Sequence, residues 1–172
     1  MTQQNPNNNL EPLTTDDVQL YLQQHLTAAK GGLALFKRVA ENHPDMQVRE
    51  TVTELKREVE EDFSRLEEIA RRFDASRAPV QEGMAALGEK LGRLKLNGRI
   101  TSRSPLSDLF EVEALIDGVF AKKQCWNTLR LWAAHEASLD VAQIDSLLAR
   151  AERQLERLGQ LHDATAARYR GE

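Results

Sequence analysis

Residues 45–73 read DMQVRETVTELKREVEEDFSRLEEIARRF. In this stretch Val48, Val52, Leu55, Val59, Asp62, Leu66, Ile69 and Phe73 recur at alternating steps of four and three. That spacing gathers side chains onto one stripe of an α-helix and has no counterpart in a strand. One place on the stripe is an acid, Asp62, among apolar neighbours. A helix of this kind buries its stripe against other helices, so the stretch predicts a bundle.

Working outward, Asn42, His43, Pro44 and Asp45 break the helical pattern, because proline disfavours helical geometry in the residue before it and suits the start of a helix. A first helix over 14–42 precedes the break. Thr14 caps it, with Asp17 as capping-box partner, and Asp16 and Asp17 suit the positive end of the dipole. Its seam runs through Val18, Leu22, Ala29, Phe36 and Val39, with His25 and Gly32 at the missing steps. So short a turn lays helices 14–42 and 45–73 antiparallel.

Beyond Phe73 a connector over 74–104 is too long for a simple turn, and Val80, Met84, Leu87, Leu91 and Leu94 predict a short extra helix inside it. Ser104 before Pro105 starts a third helix, 105–135. Asp140 caps a fourth, 140–170, with Gln143 completing a capping box and Leu139 stapled to Ile144. Residues 1–13, rich in Asn, Gln and Pro, read as a disordered tail. The fold class expected is all-α: a single-domain four-helix bundle of two antiparallel hairpins joined by a long connector.

Composition bounds the function. The 172 residues carry a formal net charge of −4, which argues against a general nucleic-acid or anionic-membrane binder. No long apolar run and no secretory signal stands in the sequence, so a cytoplasmic protein without membrane contact is expected. Cys125, the single cysteine, excludes an internal disulfide or a multi-thiolate metal site and reads as a buried, inert thiol. No nucleophile-and-base set and no glycine-rich phosphate loop is present, so enzyme activity has no support.

The polar residues on the apolar seams are the informative ones, because burying a polar group without a partner costs about 1–3 kcal/mol. With equal rise on both helices, positions whose numbers sum to about 87 face one another in the first hairpin and to about 275 in the second. His25 then faces Asp62, and Glu113 faces His162. In one reading these are two hydrogen-bonded pairs that fix register. In the other, His25, Asp62, Glu113 and His162 converge on one Fe, Mn or Zn ion.

The helix texture, with REVEEDFSRLEEIARRF at residues 57–73, and the two helix pairs around a long connector resemble the ferritin-like superfamily, in a bacterial branch lacking its Glu-x-x-His motifs. The resemblance implies a two-metal site with a Glu on two helices and Glu-x-x-His on the other two. Here Val59 and Gly159 stand in the bridging-carboxylate places and His25 where a Glu is expected, leaving Glu113 alone of the family's residue type. A di-iron oxidase or storage role is therefore not expected.

Helix order decides between the readings. If the chain runs up, down, up, down, the two pairs are level. If the connector crosses the bundle, as the resemblance implies, Lys123 arrives beside Asp62 and occupies a cation's space. The second arrangement is the one expected, so the site holds no metal. Lys90, Arg93, Lys95, Arg99 and Arg103 form a basic run, matched by the acids of 58–68 and lacking the aromatics that stack on bases, so nucleic acid is not an expected partner. Ala28, Ala29, Gly31 and Gly32 predict a close approach to helix one. Trp126 and Trp132, six apart, cannot face the same way, so one reaches an interface and a homodimer is plausible. The function expected is a non-catalytic structural or interaction protein; the alternative is a mononuclear metal-binding protein.

Overall fold

The computed structural model describes residues 13–75 and 105–168. They form four α-helices, α1 (Thr15–Asn42), α2 (Met46–Arg72), α3 (Pro105–Trp132) and α4 (Val141–Arg168), with no strand among the described residues. The tail up to residue 12, nearly all of the connector with its short helix and basic run, the Ser104 cap and residues 169–172 lie outside the described residues.

The helix starts follow from local chemistry. The Thr14 hydroxyl accepts the Asp17 N–H at 3.2 Å while the Asp17 carboxylate accepts the Thr14 N–H at 2.8 Å, so two otherwise orphaned donors are satisfied reciprocally. Asp45 caps α2 by accepting the Val48 N–H at 3.1 Å, and Pro44 stands just outside the helix. Asp140 accepts the N–H groups of Ala142 and Gln143 at 2.9 and 3.1 Å at the start of α4. Beside it Leu139 and Ile144 are both buried, as a staple requires. α3 ends at Trp132, three residues short of the expected end, because residues 133–135 already turn.

α1 packs on α2 and on α3, and α4 packs on α3 and on α2. Side-chain pairs give the directions. Arg38–Glu111, His43–Asp108 and Tyr21–Trp132 set α1 antiparallel to α3. Arg150–Glu61, Arg157–Glu54 and Arg168–Asp45 set α2 antiparallel to α4. Glu113–His162, Lys123–Glu152 and Arg130–Asp145 do the same for α3 and α4. It follows that α2 ends and α3 begins at opposite ends of the bundle.

The core is aliphatic around one tryptophan. Val48, Val52, Leu55, Val59, Leu66 and Ile69 of α2 are buried on the stripe that the spacing gave, and Trp126 of α3 and Leu158 of α4 are fully buried among them. α1 departs from expectation. Its buried positions are Leu22, Leu26, Gly31, Leu35, Phe36 and Val39, while Val18, Ala29 and His25 are only partly buried. The reason is that α1 packs on two helices at once, so its buried stripe is wider than a single seam. A close approach is not met at Gly32, where an added Cβ would find open space. Of the two tryptophans, Trp126 is buried and Trp132 is half-buried against Tyr21, ring centroids 5.2 Å apart. Among the described residues no helix is long and apolar enough to cross a membrane.

Candidate functional site

The middle of the bundle holds a polar network built on Asp62, whose side chain is wholly buried. One carboxylate oxygen accepts from the Lys122 ammonium and, at 3.3 Å, from the Gln154 amide; the other lies 3.4 Å from the Arg150 guanidinium. Gln154 completes the circuit. Its amide nitrogen also donates to Glu58 at 3.0 Å, and its carbonyl accepts from the same Lys122 ammonium. Three helices thus supply a carboxylate, an amide and an ammonium that answer one another, except that Asp62 Oδ1 accepts no hydrogen bond and faces only the Arg150 charge.

The Lys122 side chain is only 13% exposed. Burial lowers its pKa from the ordinary lysine value, and the Asp62 charge opposes that shift without overcoming it. Around this centre the α2–α4 seam is polar: beyond Arg150–Glu61, Arg157 reaches Glu54 and Glu58, and Arg168 reaches Asp45 and Gln47. These exposed pairs add specificity of register more than stability.

The four residues singled out from the sequence do not share one point. Asp62 takes its partners from α3 and α4. His25, on α1, packs its ring on Tyr21 with centroids 4.5 Å apart. Glu113 and His162 do stand opposite one another, with Oε1 and Nε2 3.4 Å apart, and the His162 Nδ1 lies 3.3 Å from Asp163. In the α2–α4 register, however, His162 is level with about residue 50, twelve residues and about 18 Å from the level of Asp62. The lysine on Asp62 is Lys122 and not Lys123, which instead bonds Glu152 at 3.0 Å. The estimate from helix rise was one residue out, and a one-residue step turns a side chain by 100° around the helix, enough to exchange core for rim.

Burial lowers the pKa of His25 from its ordinary value. The unfolded chain therefore binds the proton more readily than the folded one, and the contribution is fully present above the ordinary imidazole value and lost as pH falls from there through the lowered folded value. The expected result is that urea midpoints fall between pH 7 and 5, and that His25→Phe flattens part of this slope. A slope unchanged in that variant would contradict the assignment.

A second cluster lies at the end of the bundle where α1 turns into α2. His43, Asp108 and Glu111 are buried, and one ligand-type atom from each falls within 4.8 Å of the others. The hydrogen bonds argue against a metal there. His43 Nδ1 accepts the Asp45 N–H at 3.1 Å, which leaves the ring proton on Nε2, the nitrogen facing Asp108 at 3.8 Å. A histidine that ligates through one nitrogen normally donates from the other, and here that arrangement is reversed. Arg38 also holds Glu111 at 3.1 Å. The cluster ties the α1–α2 turn to the first turn of α3. In the sequence His43 stands in a helix break, and the one signal of the cluster is the i, i+3 pair of acids Asp108 and Glu111.

Cys125 is buried, and burial pushes its thiol up to about 12, so it is chemically inert. Compared with known proteins, the chain matches no family model, no curated protein and no solved structure.

Proposed function

We propose that this chain is a ferritin-like bundle whose centre is closed by an ion pair in place of a metal, and that it works as a non-catalytic structural or interaction protein. The observation that carries the reading is the Lys122 ammonium seated on Asp62 and Gln154 in the core. It supplies the positive charge that a cation would otherwise bring, and Arg150 adds a second. The helix directions support the ferritin-like part, since one end-to-end crossover between the second and third helices is what such folds use. The absence of bridging carboxylates at Val59 and Gly159 supports the rest.

The test is element-resolved mass analysis of untagged protein after exposure to Fe(II), Mn(II) and Zn(II). Less than about 0.1 metal per chain is expected by this reading. One ion per chain, lost on Asp62→Asn or on His43→Ala, would overturn it and name the site.

A further inference from the structure

Among the described residues, the outer face between α3 and α4 leaves Phe120 exposed beside apolar side chains that pack on the core. The shared register of Glu113–His162, Lys123–Glu152 and Arg130–Asp145 places Phe120 level with Leu155 and Ile116 level with Gly159. Phe120 is 53% exposed, while Ile116, Leu148 and Leu155 are half-buried and form a floor continuous with the core. A Cβ built on Gly159 would meet nothing within 4 Å, so a notch opens in the α4 wall beside Ile116. From Leu109 to Phe120 the floor extends about 17 Å, the length of about three helical turns.

The border of this groove is acidic. Asp117 and Glu156 stand exposed along it, joined by Glu113 and Asp163, which both face the His162 ring, while Lys123 and Arg130 on the same flank are matched by Glu152 and Asp145. A second copy of the chain would bring acid against acid. A helix with an apolar stripe and a cationic flank would instead place leucine-sized side chains on Phe120 and in the Gly159 notch, with its cations against the border.

We propose that the α3–α4 groove docks a basic amphipathic helix of a partner protein. This rests on the interaction-protein reading and names the surface and the chemistry of the partner. The probe is a labelled 18-residue synthetic helix with leucine at steps of three and four and lysine elsewhere, titrated by fluorescence anisotropy against the full chain.

Saturable binding that weakens as salt rises is expected, with Phe120→Ser and Gly159→Gln each weakening it at least tenfold. Leu20→Ser, at an exposed site on α1, leaves it unchanged. Gly159→Gln replaces a half-buried helical glycine where an added Cβ meets open space, so it retains the fold and keeps the test decisive. No binding, equal loss in all three variants, or a wild-type dimer that Phe120→Ser dissociates would each overturn the proposal. The last outcome would assign the groove to a second copy. None of these touches the metal stoichiometry, so failure here and failure of the functional reading remain distinguishable.

Discussion

Lys122→Met should destabilise the protein by about 3–5 kcal/mol in urea unfolding, the range for stranding a buried charge. The magnitude follows from what is left behind. Asp62 has no solvent access, and without the ammonium its carboxylate retains one amide contact at 3.3 Å and the Arg150 guanidinium at 3.4 Å. The Gln154 carbonyl also loses its donor. Apolar replacement of both partners, Lys122→Leu with Asp62→Leu, should recover most of that loss, because two desolvated charges are removed together. If Lys122→Met alone costs less than about 1 kcal/mol, the ammonium is not in the core.

Trp126→Ala is the second large effect, about 3–5 kcal/mol by the cost of truncating a buried aromatic. Trp126 is the largest of the fully buried side chains and sits among the valines, leucines and isoleucines of the core, where helix backbones cannot close over so large a void. Its indole N–H is buried without a hydrogen-bond partner. Trp126→Phe should therefore be much milder than Trp126→Ala, since it shrinks the ring but also removes an unsatisfied donor. Equal losses in the two variants would show that the indole nitrogen, and not the volume, is what matters there.

How much of this was legible in the sequence differed from helix to helix. α2 presents one apolar stripe whose spacing alone identified the buried residues, Asp62 included, whereas on α4 the buried stripe takes in Leu147, Gln154 and Leu161 beside Ile144, Ala151 and Leu158. On α1 the buried positions spread over a wider arc than one seam, so the seam omitted Leu26 and Leu35 and promoted His25, which is only partly buried. The caps at Thr14 and Asp140 were readable because capping is a local bargain between residues two or three apart.

The centre was legible in kind but not in detail. An acid on an apolar seam signalled a partner, and helix order indicated a lysine of α3. Selecting Lys122 over Lys123, and recognising Gln154 as the bridge, required the rotation of α3 and α4 about their own axes. Sequence spacing leaves that rotation free when several faces of a helix are apolar, as they are in α3, where Leu106, Phe120 and Leu131 are exposed. The His43 cluster depends on three elements meeting at a turn, and no periodicity within one element reveals such a meeting.

The most direct measurement of the central claim is a double-mutant cycle on Lys122 and Asp62, using Lys122→Met, Asp62→Asn and the pair. A coupling of at least about 1.5 kcal/mol is expected for two groups in contact inside the core. Losses that simply add, to within about 0.5 kcal/mol, would mean that the two side chains do not meet and that the centre of the bundle is built otherwise.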